Sequence, residues 1–205
     1  YGILNVIFAK IHGKQSVVCF AGNIFNAYKY KQKTWKYYAA KYLNKDLAML
    51  ILQHADKLVP FSHRVEQHLL EYGVSAEQVT VAPIPRDYAS EKQRPNPPCT
   101  DLDLSDEKTN VFFSGTLTAR KGVDSFVNIL GDEDIRDQYY FIFAGEDVEG
   151  YAATLKSFEN TSVLGEIPLE RVYAYYHCAD LYGFPSHSEG FPQVIFEAYV
   201  CGIPI

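Results

Sequence analysis

The chain has 205 residues, room for one or two domains, with 47% hydrophobic and 21% charged residues, an ordinary globular balance. Within these residues no apolar run is long enough to cross a bilayer and no secretory leader is visible. The net charge of −6 hides an asymmetry: residues 1–45 hold eight Lys and no Asp or Glu, whereas the remainder holds 11 basic and 25 acidic residues.

In chain order, Ser16–Phe20 reads as a strand ending in Ala21-Gly22-Asn23. Six Lys lie between Lys29 and Lys45, interleaved with Tyr30, Trp35, Tyr37, Tyr38 and Tyr42. Cations beside amphipathic aromatics suit an anionic bilayer surface or an anionic acceptor. A solvated Lys-rich helix face is the plain alternative, and nucleic-acid stacking a weaker one. Helices are expected over Lys33–Tyr42 and Asp46–Ala55. Lys57–Phe61 reads as a short strand, after which Ser62 caps a helix through Leu70 that stops at Gly73. Val79–Val81 reads as another strand.

Residues 91–108 carry three Pro, many charges and little apolar content, the composition of a linker. Beyond it, strands are expected from Asn110 to Ser114, Tyr140 to Ala144, Ser162 to Leu164 and Leu181 to Phe184. Helices fall between them at Gly122–Leu130, Gly150–Ser157 and Leu169–His177. Alternating short apolar strands and helices predict βα units and parallel sheets. The fold class is therefore α/β, with two Rossmann-like domains: 1–90, a linker at 91–108, and 109–205. A ligand crevice is expected outside the strand C-terminal ends.

Cys19, Cys99, Cys178 and Cys201 are scattered, with no Cys-x-x-Cys pair, which argues against a zinc site or a disulfide framework and for a reducing compartment. His63 and His68 are five apart, not the three or four that share a helix face, so no metal site is expected.

The densest signal is Pro185-Ser186-His187-Ser188-Glu189-Gly190-Phe191-Pro192-Gln193-Val194-Ile195-Phe196-Glu197-Ala198-Tyr199-Val200-Cys201-Gly202. It follows a buried strand. Pro192 fits the first position of a new helix and Gly202 the residue past its end. A loop feeding a helix N-terminus suits a phosphate, and the carboxylates Glu189 and Glu197 suit sugar hydroxyls. Ser186-x-x-Glu189 is also a capping box, which needs no ligand. That alternative would place Gly190 and Pro192 inside the early helix, where Pro breaks a hydrogen bond. Taken alone, Glu197 reads as a solvated helix residue. A second loop, Ser114-Gly115-Thr116-Leu117-Thr118-Ala119-Arg120-Lys121-Gly122, follows a strand and offers two adjacent cations, or else an exposed basic pair.

Glu189 and Glu197, with seven residues between them, set in Pro-Ser-x-x-Glu-Gly-Phe, Glu-Ala and Cys-Gly-x-Pro, resemble the Glu-x7-Glu motif of the family 4 (group 1) retaining glycosyltransferases of GT-B fold. The resemblance extends more weakly to Gly115–Gly122, Phe143-Ala144-Gly145, Ala55–Ser62 and Val79–Pro83. It implies transfer of a sugar, with retention and without a metal or other cofactor, from a UDP- or GDP-sugar to a hydroxyl acceptor. The acceptor would be a glycan or lipid-linked sugar, in surface polysaccharide or glycolipid synthesis. By position, Glu189 takes the catalytic role at the sugar and Glu197 binds the nucleotide ribose. Gly115 and Lys121 meet the diphosphate, with Arg120, at a different spacing, the substitute for the family Arg that Thr116 replaces, and Gly145, Gly190, Phe191 and Gln193 complete the site. Read this way, the chain is an internal fragment of a longer protein, cytoplasmic and peripheral at a membrane face through residues 28–45, with no nucleic-acid partner.

Departures from the family pattern are Thr116 where an Arg stands, Glu146-Asp147 where a second Gly is common, Pro192 in place of Gly, and Ala21 where a His often stands. His187 reads as either a contact to the bound sugar nucleotide or a solvent-facing loop residue. A GT-B epimerase and an inactive GT-B scaffold are the alternative readings.

Overall fold

The computed structural model describes residues 2–20, 50, 52–83, 87, 98–189 and 191–205. The Lys-Tyr segment at 28–45, Ala21-Gly22-Asn23, the Lys33–Tyr42 helix and Gly190 lie outside the described residues, as do residues 46–49 and 51 of the expected Asp46–Ala55 helix. The chain divides into two units: residues 1–85 with 188–191, and residues 86–187 with 192–205.

The first unit opens on a helix that the sequence reading did not anticipate, α1 (Gly2–Ile11). Strand β1 (Val17–Phe20) pairs in parallel with β2 (Lys57–Pro60), as expected for a βα fold. Helix α2 (His63–Glu71) follows, with Ser62 at its N-cap. The Ser62 side chain makes no capping hydrogen bond, so its expected role is confined to backbone geometry. Gly73, at φ +83°, ends the helix as expected. Val79–Val81 lies beside β2 but forms only a bridge from Val79 to Leu58, too little for a separate strand. Val6, Leu52, Ala55, Leu58, Val65 and Leu69 fill the core between these elements. Asp56 locks the turn into β2: its carboxylate accepts from Ser16 N (2.8 Å), Ser16 Oγ (2.9 Å) and Lys10 Nζ (3.0 Å). The Ser16 amide, with Lys10 next in weight, lowers its pKa to about 2.

In the second unit four parallel strands lie in the order β5-β4-β3-β6. They are β3 (Thr109–Ser114), β4 (Tyr139–Ala144), β5 (Thr161–Gly165) and β6 (Leu181–Tyr182). The last is two residues shorter than expected. The continuous apolar runs of β3 and β4 belong to a sheet covered on both faces. Val111, Phe113, Phe141 and Phe143 point to one face, where α3 (Val123–Leu130) and α5 (Tyr151–Leu155) contribute Val123, Phe126, Leu130 and Leu155. Phe112, Ile142 and Ala144 point to the other, under Tyr173, Tyr175 and Tyr176 of α6 (Leu169–Cys178) and Ala198 of α7 (Gln193–Cys201). The period-two alternation follows from the pleat. Helix α4 (Glu133–Gln138) was not anticipated. Its signal was Asp132, whose carboxylate accepts from the amides of Asp134 and Ile135.

Of the stretch read as a linker, residues 91–97 lie outside the described residues. In the rest, Cys99–Asp101 forms a single 3-10 turn and Leu102 and Leu104 pack on the α6 face of the sheet. Cys99 is joined to Cys178 at the end of α6, with a Cα–Cα distance of 5.7 Å. This corrects the expectation of unpaired thiols: 79 residues of sequence separation hide the fact that the turn and the helix end are neighbours. The pairing also removes the thiol argument for a reducing compartment. Among the described residues no helix is long and apolar enough to cross a membrane.

Candidate active site

The C-terminal edge of the second unit's sheet gathers four loops. Gly115 and Gly145 directly follow β3 and β4, Gly165 closes β5, and each loop is fastened to the next. Gly115 N–H donates to Ala144 O (2.9 Å), Gly145 N–H to Gly165 O (2.7 Å), and Leu117 N–H to Glu146 O (2.8 Å). A Cβ on Gly145 would run into the carbonyl of Gly115, and φ at Gly145 is +144°. The requirement for glycine here is therefore imposed by the neighbouring strand end, and the result is bare backbone at the edge.

After Gly115 the chain makes one 3-10 turn, Ala119–Lys121, capped by Thr118, whose side chain accepts from Lys121 N–H. Arg120 and Lys121 sit on this turn, half-buried rather than fully solvated. Lys121 runs back along the loop, its Cε 3.9 Å from the place a Gly115 Cβ would occupy. Ala119 N–H donates to Glu149 Oε2 (2.8 Å) from the loop after β4.

The loop after β6 closes on the same turn. The carbonyl of Arg120 accepts from His187 N–H (3.0 Å) and from Ser186 Oγ (3.2 Å). The capping-box alternative falls here, because the next helix starts at Gln193 and the Ser186 hydroxyl is committed to Arg120. Pro192 is the N-cap of α7, not its first helical residue as expected, with φ −77° and ψ 90°. Gly202 ends the helix in the left-handed region at φ 78°, as expected. His187 is exposed and its Nε2 lies 3.3 Å from Asp124 Oδ1, the outcome expected of a surface loop residue.

Glu197 is only 7% exposed, against the plain expectation of a solvated helix position. The face of α7 that carries Ala198 into the core carries Glu197 with it. A buried carboxylate requires hydrogen-bond partners, and the Tyr176 hydroxyl donates to its Oε2 (3.3 Å). Tyr176 OH also lies 2.8 Å from Ser114 Oγ, the residue just before Gly115. Tyr182 OH completes the cluster, 3.2 Å from both Ser114 Oγ and Ser114 O. Burial is the main cause of the upward pKa shifts of both phenols, Tyr182 to about 12 and Tyr176 further. Both hydroxyls therefore keep their protons across the working range.

The structure thus brings Gly115, Arg120, Lys121 and Gly145 to one edge and ties Glu197 to it through Tyr176 and Ser114, while Gln193 opens α7. Glu189 and Phe191, both half-buried, are grouped with the first unit. Tyr176 and Ser114 were missed. The available signal was a polar residue closing an otherwise apolar strand, and Tyr residues at 173 and 176, three apart on one helix face. Among the described residues no three His, Cys, Asp or Glu side chains gather as a metal site.

Residues 100–205 match the family described as "Glycosyl transferases group 1". The alpha-galactosylglucosyldiacylglycerol synthase of Streptococcus pneumoniae (strain ATCC BAA-255 / R6) is 32% identical over 154 residues, covering 68% of this chain and 40% of the synthase. An "Uncharacterized 41.2 kDa protein in cps region" of Klebsiella pneumoniae is 25% identical over 201 residues, covering 91% of this chain and 54% of that protein. The crystal structure of Anabaena Alr3699/HepE in complex with UDP-glucose superposes with a TM-score of 0.75 at 18% identity, covering 99% of this chain and 56% of that one. The chain therefore spans about half the length, or less, of these relatives.

Proposed function

The chain belongs to the group 1 glycosyl transferases, and from that membership we propose that it carries the nucleotide-sugar half of a sugar-transferring enzyme. The reaction moves a sugar from a UDP- or GDP-sugar to a hydroxyl of a glycan or lipid-linked acceptor, with retention at the anomeric carbon. Leaving-group charge on the diphosphate is met by Lys121, Arg120 and the backbone around Gly115, with no metal ion in the scheme and no other cofactor. Glu197 accepts from the nucleotide ribose, and Glu189 acts at the transferred sugar with Gly190, Phe191 and Gln193 around it. Gly145 lets the nucleotide approach the sheet edge.

The observation that carries this reading is the buried Glu197. A carboxylate kept 7% exposed on a core-facing helix surface, and tied to the residue preceding Gly115, has a recognition role as its simplest explanation. Calorimetric titration of the full-length protein with UDP, GDP and their hexose conjugates tests it. One nucleotide should bind, and Glu197→Gln should weaken that binding about 10–100-fold, the size of a hydrogen bond to a charged group. A protein blind to both nucleotides is a scaffold, and donor-sugar epimerisation without transfer defines an epimerase.

The acceptor side of the proposal includes an anionic membrane surface, at the cytoplasmic face, engaged through residues 28–45. Support comes from the Lys and aromatic content of that segment and from α1, which leaves Leu4, Ile7, Phe8 and Ile11 exposed near Lys10 and Lys14. The name of the streptococcal relative, a diacylglycerol glycolipid synthase, agrees with it. The protein should sediment with vesicles containing anionic lipid at low salt and be released at high salt. Failure to sediment at low salt removes the membrane from the proposal.

A further inference from the structure

We propose that Tyr176 is the positioning residue for Glu197, holding its carboxylate at a set spacing from the Gly115 loop. The inference rests on the reading of Glu197 as the ribose acceptor. A glutamate side chain has three rotatable bonds, and a ligand that must order it loses affinity. Here the ordering is done before the ligand arrives.

The phenol of Tyr176 is fixed by packing. It is 1% exposed, edge-on to Phe112 at 5.5 Å, and within 5.9 Å of Tyr173 and 5.2 Å of Tyr182 between ring centroids. Counting protons gives the hydroxyl chain a direction. A phenol has one O–H to donate. Since Tyr176 donates to Glu197 Oε2, Ser114 Oγ must donate to Tyr176, while the one O–H of Tyr182 is shared between Ser114 O and Ser114 Oγ. The hydroxyls of Ser114 and Tyr176 thus point the same way, toward the Glu197 carboxylate. Such a chain polarises each member in favour of the terminal charge. Its other end, Ser114, is covalently continuous with Gly115, so the loop assigned to the diphosphate and the acid assigned to the ribose keep one spacing.

The Tyr176–Glu197 contact is 3.3 Å, long for an O–H···O bond, so its effect is orientation more than strength. In the full-length protein, Tyr176→Phe should therefore weaken the tighter-binding of UDP and GDP five- to tenfold. It should raise the KM for the nucleotide sugar in parallel and leave kcat within twofold. In a Glu197→Gln background the same change should add less than twofold. Tyr182→Phe, which deletes a hydroxyl of the cluster that does not touch Glu197, should leave binding within twofold. Should Tyr176→Phe fail to fold, Ser114→Ala removes the hydroxyl that donates to Tyr176. Its expected cost is two- to threefold, again absent in the Glu197→Gln background. The inference is overturned if Tyr176→Phe acts equally in both backgrounds. It is also overturned if nucleotide binding is insensitive to Tyr176→Phe while Glu197→Gln weakens it tenfold or more. A Glu197→Gln protein that binds like wild type overturns the ribose assignment itself, and the positioning role falls with it.

Discussion

Glu189→Ala should slow sugar transfer about 10²–10³-fold while leaving nucleotide affinity within about threefold. The size follows from removing one group that acts on charge or hydroxyl position in the transition state, typically about 2.7–4 kcal/mol, at 1.4 kcal/mol per decade of rate. The selectivity follows from where the residue stands. Ser186 and His187 are fixed by the Arg120 carbonyl, and Pro192 by its place at the head of α7. Glu189 lies between these two anchors, in the segment that the site model gives to the sugar rather than the nucleotide. The proposed function gives the nucleotide contacts to Glu197 and the Gly115–Lys121 turn, neither of which the substitution alters. Glu189→Gln keeps an acceptor oxygen of similar reach, so it should recover about tenfold if the role is to hold a sugar hydroxyl. Steady-state kinetics and a UDP or GDP titration on the same variants check this. Equal losses in rate and in nucleotide affinity would move Glu189 into the nucleotide site, and unchanged kinetics would remove it from the mechanism.

How much of this was legible in advance depended on whether a signal was local. The sheet strands β3, β4 and β5 were found within a residue of their observed ends, because runs such as Tyr-Phe-Ile-Phe-Ala have only one stable environment, a sheet covered on both faces. Gly202 and Gly73 marked helix ends because positive φ is a local property. Local reasoning failed where a distant residue decides. Val79 had strand composition but only Leu58 to pair with. Ser62 had the right type for a cap, yet its side chain makes none, since the helix is held by Val65 and Leu69 in the core. Cys99 and Cys178 looked unrelated until the turn before β3 was seen to pack on the end of α6. The site shows the same division. The glycines at strand ends were readable from the motif. The burial of Glu197 and the Ser114–Tyr176 connection were not, because three elements far apart in sequence meet there.

Gly122→Ala should be among the most damaging single-methyl changes in the second unit, lowering the melting temperature by about 10–25 °C. Two costs combine. At φ 78° and ψ 21° the residue is in the left-handed region, which costs a side-chain-bearing residue about 1–2 kcal/mol. The new methyl also has nowhere to go: it would run into the carbonyl of Pro185 and stand 2.9 Å from the Pro185 Cβ. Forcing such a contact adds about 1–3 kcal/mol, and each kcal/mol is about 4–8 °C in a domain of 60–100 residues. Pro185 opens the loop whose Ser186 and His187 grip the Arg120 carbonyl, so relief of the clash must pull that clamp apart. Nucleotide affinity should then fall more than tenfold even well below the melting point. Two other glycines separate the causes. Gly150 has φ 82° with nothing near its missing Cβ, so Gly150→Ala carries the backbone cost alone, about 1–2 kcal/mol. Gly131 sits at φ −81° with only the Phe158 ring at 3.9 Å, so Gly131→Ala should be neutral or stabilising by up to about 1 kcal/mol. The melting order is therefore Gly131→Ala highest, Gly150→Ala intermediate and Gly122→Ala lowest, with nucleotide affinity lost only in the last. If the Gly122 and Gly150 variants melt together and both bind nucleotide normally, the loop after β3 does not depend on its seat against Pro185, and the clamp on Arg120 is not what shapes the site.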